Sequence, residues 1–213
     1  MPRLPAFPFV YPILDLTVLG EGSGVDEAAA ALLAGGARLV QLRAKDVADG
    51  ALLAAVKRAL AVVRAGGGAL IVNDRADVAF IAGADGVHVG QDDLPPAECR
   101  RLLGEQALVG RSTHGIEQLR AAAREPVDYV AFGPVFATAT KANPDPVVGL
   151  EGLREARRHT ALPLVAIGGI TRANAAAVVA AGADGVAAIG DILRAGGVAQ
   201  AVREMRAAIG ARA

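Results

Sequence analysis

The sequence predicts a (β/α)₈ barrel. Three observations carry that prediction: eight short apolar runs recur along 213 residues, alanine-rich helical stretches separate them, and the polar residues gather where the runs end. The runs fall at Val10–Leu14, Ala37–Arg43, Ala69–Asn73, Gly86–Val89, Leu108–Ser112, Tyr129–Phe132, Leu164–Ile167 and Gly185–Ile189. Each is largely apolar rather than strictly alternating, as strands covered on both faces are. A doubly wound open sheet is the alternative arrangement of the same pattern. The length suits one domain spanning 1–213, and no linker or low-complexity tract divides it.

Composition narrows the functional classes. Hydrophobic residues make up 53% and aromatic residues 3%, with 26 glycines, so the core is built of aliphatic side chains between many tight turns. Twenty-two Lys and Arg balance 22 Asp and Glu, leaving no overall basic field to hold nucleic acid or an anionic membrane. No apolar stretch reaches the roughly 20 residues a bilayer span requires. The single Cys99 cannot form an intrachain disulfide, and no signal peptide is legible, which together predict a cytoplasmic setting. The sequence accommodates a homo-oligomer without specifying one. An internal echo, AGADGV at 82–87 and again at 181–186, marks two equivalent helix-to-strand turns and speaks to architecture alone.

In such a barrel the C-terminal strand ends carry the chemistry. The second run ends in Gln41-Leu42-Arg43-Ala44-Lys45, and its alternation puts Gln41, Arg43 and Lys45 on one side. Converging cations are costly unless an anion answers them, and a diphosphate does so; outward pairing with loop carboxylates is the alternative. The third run ends in Asn73-Asp74, and the fourth leads through His88 into Gln91-Asp92-Asp93. Asp74 and Asp93, from neighbouring strand ends, match the few protein oxygens that hold Mg²⁺ beside a phosphate. Asp92 and Asp93 could instead cap the helix that starts near Pro95-Pro96, and Asp74 could be an ordinary first-turn residue.

The fifth run ends in Arg111-Ser112-Thr113-His114. With no base and orienting acid at a triad spacing, Ser112 reads as a hydrogen-bonding group, and His114 as either an acid–base group or a loop cap. His88, inside an apolar run, reads as a satisfied interior residue, and His159 as a surface one. After the sixth run Thr138, Thr140 and Lys141 supply hydroxyls and a cation suited to phosphate, and the 142–148 connection is a candidate lid. Gly169, with Ile189 and Gly190 opening a short helix, supplies backbone amides for a second phosphate. Two anion sites follow, one cationic with a metal and one built of amides.

The ordered set Gln41-x-Arg43-x-Lys45, Asn73-Asp74, His88-x-Gly90-Gln91, Ser112-Thr113-His114, Gly133–Lys141 and Ile167-Gly168-Gly169-Ile170 resembles the thiamine phosphate synthase family along nearly the whole chain. The resemblance implies condensation of a 4-amino-2-methylpyrimidine methyl diphosphate with a thiazole phosphate, releasing pyrophosphate. It implies that Gln41, Arg43, Lys45, Asn73, Ser112 and Lys141 hold the pyrimidine diphosphate, with Arg43, Lys45, Ser112 and Lys141 in catalytic roles. Asp74 and Asp93 would then hold Mg²⁺, and Thr138, Thr140, Gly169, Ile189 and Gly190 the thiazole phosphate. The implied mechanism is dissociative, the diphosphate leaving before the thiazole nitrogen attacks. Two features depart from the family: Gly190 stands where many members have Ser, and the Asp15–Gly24 loop is longer. Two rival readings stay open at this point, a thiazole tautomerase working through His114 and a silent paralogue that binds thiamine precursors.

Overall fold

The computed structural model describes residues 3–19, 24–138 and 145–211. Eight parallel strands, β1 (Phe9–Asp15), β2 (Leu39–Arg43), β3 (Ala69–Asn73), β4 (Gly86–Val89), β5 (Leu108–Thr113), β6 (Tyr129–Phe132), β7 (Leu164–Ala166) and β8 (Gly185–Ala188), close into a barrel in sequential order. Closure is completed by the β1–β8 pairing, with Tyr11 opposite Ala187. Open-sheet topology is thereby excluded, and the strand bounds agree with the sequence reading to within two residues.

Helices follow the strands as α1 (Leu16–Leu19), α2 (Val25–Ala34), α3 (Asp49–Ala65), α4 (Ala76–Ala82), α5 (Pro96–Leu103), α6 (Ile116–Ala122), α7 (Gly149–Arg158), α8 (Ala175–Ala180), α9 (Gly190–Leu193) and α10 (Val198–Ala208). None of the described helices is long and apolar enough to cross a membrane.

Strand alternation divides the apolar residues into two cores. Outward-facing Val10, Val40, Leu42, Leu70, Val72, Val87, Val109, Val130 and Val186 pack under the helices. Inward-facing Phe9, Tyr11, Ile13, Leu39, Ile71, Leu108, Tyr129 and Val165 fill the barrel. The large interior side chains fit because small ones stand beside them. A Cβ at Gly110 would lie 2.2 Å from Tyr129 Cζ and 2.4 Å from His88 Nδ1, and one at Gly185 would lie 2.7 Å from Phe9 Cζ.

A repeated clamp closes the N-terminal rim, opposite the candidate site. Asp85, Asp128 and Asp184 stand just before β4, β6 and β8. The backbone N–H of each donates to the carbonyl of Leu70, Val109 or Leu164 on the preceding strand (3.0, 2.8 and 2.8 Å). Its carboxylate accepts the N–H of that same residue (2.9, 2.7 and 2.8 Å). An arginine from the helix that leads into that preceding strand closes each clamp: Arg64 on Asp85, Arg100 on Asp128 and Arg157 on Asp184. The AGADGV echo thus records two of three copies of one device.

Because each clamp acid satisfies a strand N–H as well as an arginine, Asp184→Ala should destabilise the fold by about 2 kcal/mol. Thermal and urea unfolding measure this loss, and the folded variant should keep the activity of the parent because the clamp lies at the far rim.

Candidate functional site

The C-terminal rim carries two cavities. The larger, about 640 Å³, is lined by Arg43, Lys45, Asn73, Asp74, Gly90–Asp93 and Ser112. The other, about 330 Å³, is lined by Thr138, Gly168–Thr171 and Ala187–Asp191. Arg43, His114 and Asp145 line both, so the two spaces meet along a shared wall.

In the larger cavity the cations are arranged differently from the sequence reading. Arg43 pairs with Asp15, a fully buried carboxylate at the end of β1, and Lys45 pairs with Asp74. Arg43 and Lys45 therefore do converge on one cavity, but carboxylates of the rim itself answer them. Asp15 went unrecognised in the sequence, where it opened an unfamiliar loop. Its other oxygen accepts the N–H of Thr17 (2.9 Å), starting α1 and fixing the carboxylate that orients Arg43.

Asp74 and Asp93 come together as the neighbouring strand ends suggested. Asp74 adopts a left-handed backbone, φ 61°, uncommon outside glycine and concentrated at functional sites. Asp93 accepts the N–H of Gly90 at 2.7 Å. Burial raises the pKa of Asp93, the Gly90 N–H partly offsets this, and the adjacent Asp74 carboxylate raises it again. Neither Asp92 nor Asp93 caps α5, whose first turn begins at Pro95-Pro96 with no side-chain cap. Among the described residues no group of three or more His, Cys, Asp or Glu forms a metal cluster. Two facing carboxylates are a hard, all-oxygen donor pair that suits Mg²⁺ if water and substrate oxygens complete the shell.

Ser112 reaches the same cavity from β5. Its Oγ lies 2.8 Å from His88 Nε2, and its carbonyl accepts Gln91 Nε2 at 2.6 Å. Arg111, on the outward face of the same strand, braces the loop after β4 through the Gly90 carbonyl at 2.7 Å. Gln41 is buried beneath the rim and donates to the Tyr11 hydroxyl at 3.0 Å. Asn73 ends β3 within the lining.

The smaller cavity is walled by backbone. Gly168 and Gly169 have φ of 94° and 63°, and a Cβ on Gly169 would lie 2.4 Å from the Ala137 carbonyl oxygen. Ile189 and Gly190 open α9. A Cβ at Gly190 would meet only Arg194 Nη1 within 4 Å, at 3.7 Å, so the position has room for a side chain. Thr138 lines this cavity, whereas Thr140 and Lys141 lie outside the described residues, as does the 142–144 part of the candidate lid.

His114 stands on the shared wall, its Nδ1 2.8 Å from the Gly133 carbonyl and 3.4 Å from Asp145 Oδ2. His159 is half-buried at the end of α7 and pairs with Glu155.

Set beside known proteins, the chain matches a family model described as thiamine monophosphate synthase over residues 10–192. The chain belongs to the thiamine monophosphate synthase family. A thiamine-phosphate synthase of Koribacter versatilis is 48% identical over 192 residues, covering 87% of this chain and 89% of that one. One from Laribacter hongkongensis is 47% identical over 198 residues, 93% of each chain. The solved thiamine phosphate pyrophosphorylase of Pyrococcus furiosus superposes with a TM-score of 0.84 at 31% identity, covering 95% and 96% of the two chains. A solved 3-hexulose-6-phosphate synthase, TM-score 0.65 at 24% identity, shares the barrel alone. The match to this family spans both cavities and the strand ends between them.

His88 makes the site's interior sensitive to acid. Burial pushes its pKa down from 6.5 to about 4, with Asp93 opposing and Arg111 reinforcing the shift. The unfolded chain therefore takes up this proton first, and stability falls as pH drops from about 6.5 to 4, by roughly 3 kcal/mol for this group. Urea unfolding of the parent and His88→Gln across that window should show the stability difference between them shrinking by about that amount towards pH 4.

Proposed function

We propose that the chain is a thiamine-phosphate synthase: it joins the methylene carbon of an aminopyrimidine methyl diphosphate to the ring nitrogen of a thiazole phosphate and releases pyrophosphate. The observation that carries this reading is the pair of rim cavities that share Arg43, His114 and Asp145, one lined by cations and acids and the other by backbone. A coupling enzyme needs both phosphorylated pieces side by side, which a generic phosphate binder does not.

In this reading the diphosphate lies in the larger cavity against Arg43 and Lys45, with Asn73 as a hydrogen-bonding partner, while Gln41 and Ser112 face the pyrimidine ring. Lys141 joins them from outside the described residues. As the bond from methylene carbon to oxygen breaks, its electron pair leaves with the diphosphate, and the pyrimidine ring stabilises the carbon cation. Negative charge grows on the leaving group, so Arg43 and Lys45, fixed beforehand by Asp15 and Asp74, stabilise the transition state more than the ground state. The thiazole nitrogen then donates its lone pair to the carbon; no general base is needed.

Asp74 and Asp93 would hold Mg²⁺, which supplies further positive charge against the diphosphate. Thr138 and the amides around Gly169, Ile189 and Gly190 would hold the monophosphate, with Thr140 completing that side. We further take the setting to be the cytoplasm, in line with the single buried Cys99 and a small-molecule biosynthetic role.

Pyrophosphate release is the direct assay. The parent should form thiamine phosphate and pyrophosphate in equal amounts, only with both substrates and Mg²⁺ present. Asp74→Asn with Asp93→Asn should lower turnover by about a hundredfold and raise the Mg²⁺ concentration required. Turnover and Mg²⁺ dependence unchanged in that double variant would overturn the metal assignment. On the other side of the rim, Gly190→Ser should lower the KM for thiazole phosphate several-fold, about 1 kcal/mol for one added hydrogen bond; steady-state kinetics with the pyrimidine substrate saturating measures it.

A further inference from the structure

A run of polar groups crosses the barrel interior beneath the rim. Gln41 Nε2 donates to the Tyr11 hydroxyl at 3.0 Å, and the Tyr11 and Tyr129 hydroxyls are 2.8 Å apart. The Tyr129 hydroxyl is 3.1 Å from His88 Nδ1, and His88 Nε2 is 2.8 Å from Ser112 Oγ. Tyr11, Gln41, His88 and Tyr129 are all buried. Burial raises both phenols well above their ordinary range and lowers the imidazole, so all three are neutral at pH 7.

In a neutral chain the protons can be counted. The Gln41 amide N–H points at the Tyr11 oxygen, so the Tyr11 proton goes to Tyr129. The Tyr129 proton goes in turn to His88 Nδ1. His88 therefore carries its one ring proton on Nε2 and donates it to Ser112. If the Tyr129 proton turned back to Tyr11, two donors would meet one oxygen and the Tyr11 proton would be left buried without an acceptor.

Ser112, at one end of the run, lines the larger cavity, and Gln41, at the other, is 3% exposed. Gln41 Oε1 makes no hydrogen bond among the described residues, yet the one fully enclosed side-chain polar atom there without a partner is Glu125 Oε2. Oε1 is therefore not fully enclosed, and as an amide oxygen it is an acceptor. Ser112 Oγ already accepts from His88, which leaves its own proton to be donated outward.

We propose that Tyr11, Tyr129 and His88 are positioning residues that hold Gln41 as an acceptor and Ser112 as a donor, and so make the pyrimidine half of the site select an amino-substituted ring over its oxo counterpart. This rests on the reading above, in which Gln41 and Ser112 face the pyrimidine. An exocyclic amine donates and the ring nitrogen beside it accepts. The oxo ring reverses both, setting a carbonyl lone pair against Gln41 Oε1. Sites whose polar groups are fixed in this way reject the mismatched ligand strongly, because the Gln41 amide cannot turn without giving up its bond to Tyr11. Tyr11→Phe keeps the ring but removes the acceptor that holds the amide, and the amide is then free to turn.

The test has two arms. ¹⁵N NMR of the parent imidazoles should show His88 as the Nε2–H tautomer, retained in Tyr11→Phe and mixed in Tyr129→Phe. A parent His88 protonated on Nδ1 overturns the proton order, and this arm needs neither turnover nor a foldable variant. Calorimetric titration with the amino and oxo pyrimidine methyl diphosphates should give a dissociation-constant ratio that falls roughly tenfold or more in Tyr11→Phe, with thiazole phosphate binding unchanged. An unchanged ratio in the folded variant overturns the selection. A parent that binds neither pyrimidine refutes the functional reading itself, while the tautomer still decides the proton order.

Discussion

Closure of the parallel sheet is the constraint on which the rest depends. Once β1 pairs with β8, every strand is hydrogen-bonded on both edges, each inward residue must share a narrow interior, and all eight C-terminal ends face one rim. The interior can hold Phe9, Tyr129 and His88 only because Gly110 and Gly185 leave their side-chain space to these neighbours. The same closure gathers residues as distant in sequence as Asp15, Arg43, Asp93 and Gly190 around one mouth. Stability and chemistry are assigned to opposite rims: aspartate–arginine clamps at the N-terminal end, cations and glycine amides at the other.

Much of this was legible because strand ends leave a local mark. Apolar runs broken by Gln41, Arg43, Asn73, Asp74 and Ser112 locate the rim residue by residue, and period-two alternation tells which of them face inward. Asp74 and Asp93 could be placed together because β3 and β4 are neighbours in any sequential barrel. The AGADGV repeat announced equivalent turns, although nothing in it revealed that its aspartates each clamp a strand N–H and an arginine.

What the sequence withheld depends on pairing across the barrel. Asp15 lies 28 residues from Arg43, in a segment read as loop, so no spacing rule connects them. Tyr11 and Tyr129, 118 residues apart, look like ordinary strand aromatics until closure sets their hydroxyls in contact. The cations Arg43 and Lys45 seemed to require an outside anion because their carboxylate partners sit on other strands. Those partners give the larger cavity cations already fixed in place, while the smaller cavity is walled by the backbone around Gly169 and Gly190.

The central claim is that one rim holds a diphosphate and a monophosphate at once, on either side of Arg43. ³¹P NMR tests it most directly, using thiazole phosphate together with a pyrimidine diphosphate analogue whose bridging oxygen is replaced by methylene so that no reaction occurs. With Mg²⁺ present, the account predicts that both ligands bind simultaneously, each saturating at one equivalent and keeping its bound signal when the other is added. Mutual displacement, with one ligand regaining its free signal as the second binds, would contradict it.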